Sequence, residues 1–569
     1  MKKLAVLIVL AALIGGAIFW FSRSTASVTS NPQELAPAGS ILYVELTDIP
    51  GSRMRWQETA LAKIAAEPEV QAFFAKPLSE NGGALQGFRD FISLLDALDP
   101  KSVFLALASL DENKPVFVSG FSSPKSKEEI EAALADSRKR VLEKYPAGKA
   151  DLTHHEGVSI ETFVADDFSI AVAHHAGWYL VASNVDLVKG MIDRADKRRT
   201  DNLLSTPEIK DVVKKAPGTR ETLLIVLPRP LVAKLKPALS VSGQAGGVDW
   251  KEIEAIEAVA AWTTFDGANL REGIYTKTPG RKPAEPLKQT ALSMTTPQTL
   301  LYTSNLLSLP DELELPAAEM DTTGVLTFLR QFAARLESRG IGVDRLLAAL
   351  GNEAGVALDW PAGAFYPVLT VRFDVKDREP VNQFCQVLAS GELSGVPLNS
   401  RKAGDADLYE LPGIGKPGFQ LVPALSLTSD ALYLGSDASK VNAIVTNQMK
   451  DNLSGSETFK KAEGLTIEPN RGFAYIDFKG LFERVYGLGR TFLIMGAGFM
   501  PGTDSMDLTK LPTTEAISKH LGPIVYSQKA DEEGVLMESV GPITTHQLII
   551  GIAGGSVAAA LKKQGLLGE

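Results

Sequence analysis

The 569-residue chain has one cysteine, Cys385, and only six histidines. An internal disulfide is therefore excluded, and the fold must rest on core packing, which this length allows. Positive charge is short as well. With 58 Lys and Arg against 68 Asp and Glu, the formal net charge is −10. Such a surface repels polyanions, so nucleic acid is not an expected partner. Catalytic signatures are missing too: there is no P-loop, no G-x-S-x-G elbow and no H-E-x-x-H. No catalytic residue, cofactor or metal is expected, and the chain is read as a protein that binds rather than reacts.

Several near-motifs give way to plainer readings. "GIGKPG" (Gly413 to Gly418) satisfies G-x-G-x-x-G, but Pro417 interrupts it and the strand-like "FQLVPALSL" follows where a helix should start. It reads as a hairpin loop. The pairs His154-His155 and His174-His175 suggest a metal site, yet adjacent residues on a strand point to opposite faces. Each pair can offer one ligand, where zinc needs three or four. Asp166-Asp167 and Asp405-x-Asp407 sit in turns, where Asp bonds its own backbone. Cys385, in "VNQFCQVLA", falls on the apolar face of a helix and reads as a buried, inert thiol. The basic runs Arg138-Lys139-Arg140 and Lys197-Arg198-Arg199 lie in helical patterns rich in acids and read as solvated faces.

What is present is more telling. Lys2 and Lys3 precede an unbroken apolar run from Leu4 to Phe21, followed by Ser22-Arg23. Eighteen residues at a rise of 1.5 Å span about 27 Å, close to the hydrocarbon thickness of a bilayer. Leu4, Leu7, Leu10, Leu13 and Ile18 would lie in lipid, with Phe19, Trp20 and Phe21 at the interface. The segment is a retained anchor or a signal peptide with a cleavage site after Ala26, and the terminal aromatics favour the anchor. Either way the lysines stay in the cytoplasm and the rest is exported.

The body of the chain is globular in composition, with 45% hydrophobic and 22% charged residues. It also repeats itself. "GWYLVASNVDLVKGMIDR" (Gly177 to Arg194) is answered by "ALYLGSDASKVNAIVTNQ" (Ala431 to Gln448), and neighbouring segments keep step at spacings of about 250 residues. Pro115-Val116 matches Pro367-Val368, Leu231 matches Leu481, and Gly267 matches Gly534.

The expected organisation is an N-terminal anchor or signal over 1–28 and a first repeat over 29–277. A Pro-rich linker over 278–289, a second repeat over 290–544 and a small-residue apolar tail over 545–569 follow. Each repeat alternates short strands and helices in separate blocks, which predicts α+β domains with mainly antiparallel sheets. In the first repeat strands are expected at Ile41 to Leu46, Val103 to Ala108, Val116 to Phe121, Val158 to Val164, Ser169 to Ala173 and Trp178 to Ala182. A charged helix is expected over Lys127 to Lys144, and a tight turn at His175-Ala176-Gly177. Asn184 or Asp186, and Asp437 or Ser439, are candidate helix caps.

Two apolar segments are candidate contacts. "TFLIMGAGFMPG" (Thr491 to Gly502) carries Phe492, Met495, Phe499 and Met500, where the first repeat has the polar "VSGQAGGVDW". It is either a helix end in the core or a lip for lipid, an apolar ligand or a partner. The tail "LIIGIAGGSVAAAL" (Leu548 to Leu561) is short for a span. Ile549 and Ile550 precede Gly551 and Gly555, a small-xxx-small face suited to helix packing.

The opening "LAPAGSILYVELTD" (Leu35 to Asp48), with the strand and capped helix of "YLVASNVDLVKGMID", resembles a family of exported bacterial proteins known as a domain of unknown function. The resemblance covers most of both repeats. It implies a place in the bacterial envelope, periplasmic and inner-membrane anchored, and lends no catalytic residue. The expected function is a membrane-tethered envelope scaffold that binds a protein partner. Alternatives are a carrier or sensor of an apolar ligand between the repeats, near Phe492, Met495 and Phe499, and an envelope-polymer hydrolase.

Overall fold

The computed structural model describes residues 31–80, 93–111, 114–165, 168–241, 250–281, 285–307, 325–361, 363–393, 395–416, 419–496 and 508–548. The first half carries β1 (Leu42–Leu46), β2 (Ser102–Asp111), β3 (Lys114–Ser122), β4 (Lys149–His155) and β5 (Val158–Ala165). It continues with β6 (Phe168–His175), β7 (Trp178–Ala182), β8 (Thr222–Val226), β9 (Ala258–Asp266) and β10 (Asn269–Lys277). In the second half follow β11 (Thr299–Leu306), β12 (Leu350–Asp359), β13 (Val368–Val375), β14 (Asn399–Ala403), β15 (Ala406–Glu410) and the short β16 (Ile414–Lys416). The last are β17 (Phe419–Leu421), β18 (Ala424–Leu427), β19 (Ala431–Gly435), β20 (Gly472–Ile476), β21 (Ile524–Ala530) and β22 (Gly534–Gly541).

The fold is α+β. Among the described residues, all strands but β16 and β17 join one 20-stranded sheet in which every pairing is antiparallel. From one edge the first half runs β4, β5, β6, β7, β3, β2, β1, β8, β9, β10. From the other edge the second half runs β14, β15, β18, β19, β13, β12, β11, β20, β21, β22. The two meet at β10 and β22, paired from Leu270↔Gly541 to Lys277↔Gly534. Arg271 crosses this seam to Glu538 at 2.9 Å.

Alternation of side chains gives the sheet two faces in each half. On one face of the first half, Trp178, Leu180, Tyr43 and Phe104 form the main core with Met191 and Ile192 of helix Val185–Ala195. Burying a side chain such as Met191 contributes roughly 1.5–3 kcal/mol. The second half places Tyr302, Phe473 and Phe459 in the corresponding core.

Local chemistry explains the boundaries. The turns before β5 and β7 place Glu156-Gly157 and Ala176-Gly177 at positive φ, 50° and 78° in both cases, the conformation that closes a two-residue hairpin with the sheet's twist. The cap carboxamide of Asn184 accepts from Leu187 N, and Asp437 accepts from Lys440 N, each at 3.0 Å. The helix Lys127–Lys144 begins with a capping box between Ser126 and Glu129.

Buried charges tie distant segments together. Glu45, 1% exposed, accepts from Gln33, Tyr43 and Arg220. Glu353 accepts from Ser304 at 2.6 Å and from the backbone N–H groups of Lys288 and Thr290. The Pro-rich segment 278–289 is thus fixed at its end by Glu353, and at its start by hydrogen bonds from Thr278 N and Gly280 N to Glu533 O and Glu532 O.

Among the described residues no helix is long and apolar enough to cross a membrane. The apolar run with Leu4, Leu7, Leu10, Leu13, Ile18, Phe19, Trp20 and Phe21 lies outside the described residues, as do Phe499, Met500, Ile549, Ile550, Gly551 and Gly555.

Candidate functional site

The second face of the first half is covered by the helix Lys127–Lys144 only in part. Register places Glu161 beside Val172, Phe163 beside Ile170 and Val172 beside Val181, so all of them share this face with Tyr179. Near its start the helix packs closely, with Ile130 buried against Tyr179 and Leu134, Val172 and Val181 around them. Toward its end the helix and sheet separate, and a groove of about 720 Å³ opens between them. Its walls are apolar: Leu134, Val141 and Leu142 from the helix, Leu152, Phe163, Ile170, Val172 and Val181 from the strands. Leu142 and Leu152 are 52% and 56% exposed.

Polar groups gather at one place in this groove. Arg138 reaches from the helix to donate through Nη1 to Glu161 Oε2 and through Nη2 to Tyr179 Oη, each at 3.1 Å. Burial works against the guanidinium charge, but Tyr179 and Glu161 outweigh it and raise its pKa. An apolar trough with a few converging polar groups is the usual build of a small-molecule site.

The corresponding face of the second half is packed more closely. Helix Arg378–Ala389 buries Val381 and Cys385 against Tyr409, Leu425, Leu427 and Leu432. The cavity left beside it is about 300 Å³ and has no charged lining residue. Burial pushes the Cys385 thiol up to about 12, so it is the buried thiol expected from its helix face.

A larger cavity, about 1030 Å³, lies at the ends of β12 and β13 and is lined by Asp359, Trp360, Asp437, Lys440, Asp477 and Arg484, among others. Its inner charges already have structural work. Asp359 accepts from Thr296 and Thr299 and pairs with Lys440 at 3.1 Å, while Asp437 and Asp477 cap backbone N–H groups. The apolar groove is therefore the better candidate.

The histidine pairs do not converge. His155 Nε2 meets Asp193 at 2.9 Å and His175 Nε2 meets Asp196 at 2.6 Å. Among the described residues no cluster of three or more His, Cys, Asp or Glu could hold a metal ion. In "GIGKPG" the strand β16 pairs with β17, a hairpin.

Of the apolar candidates, Phe492 stands on helix Phe478–Gly496 and is 58% exposed. Val485 and Leu488 are exposed on the same stripe, at seven and four residues' distance. Met495 belongs to the same helix.

Sequence reasoning missed the groove because it grouped Arg138 with Lys139 and Arg140. The three diverge: Lys139 pairs with Glu143 along the helix, Arg140 bonds Ser137, and Arg138 turns inward. The signal was spacing, since Ile130, Leu134, Arg138 and Leu142 recur every four residues and put Arg138 in the apolar stripe. Strand β4 was missed too. As an exposed edge strand of mixed polar sequence, "KADLTHH", it lacks apolar alternation.

No protein-family model matches this chain, and no curated protein matches it. Among solved structures, crystal form III of TP0453 is similar at 12% identity over 45% of this chain and 83% of its own, with a TM-score of 0.26. Crystal form I of TP0453 is similar at 12% identity, over 45% and 81%, with a TM-score of 0.25. Likeness at this level carries no argument about function.

Proposed function

We propose that this chain is an exported, membrane-tethered, non-catalytic envelope protein that carries or senses an apolar ligand. The ligand lies in the groove roofed by helix Lys127–Lys144, within the first half, and not between the halves near Phe492. One observation carries this reading. The same face of the sheet is packed more closely in the second half, where the cavity is about 300 Å³ and has no charged lining residue, whereas in the first half it leaves about 720 Å³ walled by Val141, Leu142, Leu152, Phe163 and Ile170.

Tethering rests on Lys2, Lys3 and the apolar run from Leu4 to Phe21. The likeness of the opening segment to the exported bacterial family agrees with it. We read the two halves as a duplicated domain, because ten strands in each follow one order from edge to seam and the sequence keeps step between them. On that reading one copy kept a wide groove with a charged cluster and the other narrowed it to a smaller, uncharged cavity.

The test is native mass spectrometry on protein purified without detergent. A discrete extra mass that extracts into organic solvent is expected, and Leu142→Asp should lose it while melting at the same temperature. A bare chain mass, together with no uptake of a neutral apolar dye such as Nile red, would overturn the proposal.

A second reading, a scaffold that docks an envelope protein, is favoured by the exposed stripe of Val485, Leu488 and Phe492. It expects Phe492→Asp to remove a partner crosslinked in intact cells, and an unchanged crosslinking pattern argues against it.

A further inference from the structure

We infer that Glu161 makes the groove selective for an uncharged amphiphile, one acyl chain with a hydroxyl or ester head such as a monoacylglycerol, over a fatty acid of equal length. This rests on the groove being the ligand site. The apolar walls suit an acyl chain, and the head must then be met by Arg138, Glu161 and Tyr179, the polar groups that converge inside.

Their charge decides the head. Among the described residues Arg138 is the one cation lining the groove, and Glu161 already occupies it at 3.1 Å, with Asp151 a second carboxylate in the lining. A fatty acid would bring a second carboxylate to that guanidinium, in a groove that Asp151 also lines. It would bind only by displacing Glu161 or by standing beside it, and both are unfavourable in a partly desolvated site.

A neutral head fits what remains open. Arg138 uses Nη1 and Nη2 once each and keeps further N–H donors. Tyr179 accepts from Arg138, which leaves its own O–H free to donate, and Glu161 Oε1 has no hydrogen-bond partner among the described residues. An ester carbonyl can accept from Arg138 or Tyr179 while a hydroxyl donates to Glu161 Oε1, so each polar group is satisfied without a new charge.

The experiment follows displacement of Nile red from the full-length protein by monoolein and by oleate at pH 8, in the wild type and in Glu161→Gln. Wild type should release the dye at about tenfold lower monoolein than oleate, the scale of one screened like-charge contact. Glu161→Gln should bring the two within about twofold, with an unchanged melting temperature, since the side chain is 41% exposed. Equal displacement by both lipids in the wild type, or a preference for oleate, would refute the selectivity and leave the groove as a site. Failure of the dye and both lipids to bind would refute the groove itself, and the inference with it.

Discussion

The hydroxyl of Thr544 donates to Glu272 Oε2 at 2.6 Å, and so joins the last described turn of the chain to a strand of the first half. His546 Nδ1 meets the same oxygen at 3.1 Å. Burial alone would raise the Glu272 carboxyl, but these two hydrogen bonds outweigh it and hold the pKa below the usual carboxylate range.

A depressed carboxylate stabilises the folded state above its unfolded pKa, about 4.3, and that stability is lost as pH falls through the folded value. Acid should therefore loosen the C-terminal clasp. Thr544→Ala should cost about 1 kcal/mol in chemical denaturation at pH 7 and noticeably less at pH 3. An equal cost at both pH values would contradict the assignment.

Among the described residues Arg220 and Glu45 form the most buried ion pair of the first half, with side chains 12% and 1% exposed. Arg220→Ala leaves the buried Glu45 carboxyl, among the described residues, with Gln33 and Tyr43 as its donors, and should lower stability by about 3 kcal/mol. Arg220→Ala with Glu45→Gln should recover part of that loss in the same denaturation experiment.

Alkaline pH should unfold the protein. Burial raises the hydroxyl pKa of Tyr43, Tyr302 and Tyr475, and pushes that of Tyr275 up to about 12. A group whose folded pKa is raised contributes stability below its unfolded pKa, about 10 for tyrosine, and loses it as pH rises beyond. Absorbance at 295 nm should show these tyrosines ionising only together with loss of the near-ultraviolet circular dichroism. Full titration with that signal intact would be inconsistent with their burial.

The seam has little tolerance at Gly534. A Cβ there would stand 2.3 Å from Thr276 O, a backbone atom of the paired strand. Gly534→Ala should push β22 from β10 and cost about 1–3 kcal/mol. Hydrogen exchange should quicken between Leu270 and Lys277 before it does at the outer strands, and uniform exchange would argue against a local effect.

Much of the fold was legible because short-range chemistry wrote it. The helix Lys127–Lys144 and the strand Trp178–Ala182 have the boundaries expected from charge periodicity and from the turn at Ala176-Gly177. Other strands differ by a residue or a few at their ends, as Ser102–Asp111 does from Val103 to Ala108. Cys385 could be placed inside its helix face because Phe384 and Val387 flank it. Candidate contacts such as Phe492 were legible as apolar, but whether they face water or core was not, since the sequence pattern allows both.

By itself the sequence determined the class of the fold, the strands with apolar alternation, the turns that need glycine, and the lack of any catalytic signature, because each depends on neighbours within a few residues. Only the tertiary structure decided that both halves share one sheet through β10 and β22, since strand edges carry backbone donors and acceptors that no side-chain pattern assigns to a partner. It also decided the groove. Glu161, Tyr179 and Arg138 stand up to 41 residues apart, and whether a helix and a sheet close fully or leave 720 Å³ between them depends on the packing of side chains from five elements at once.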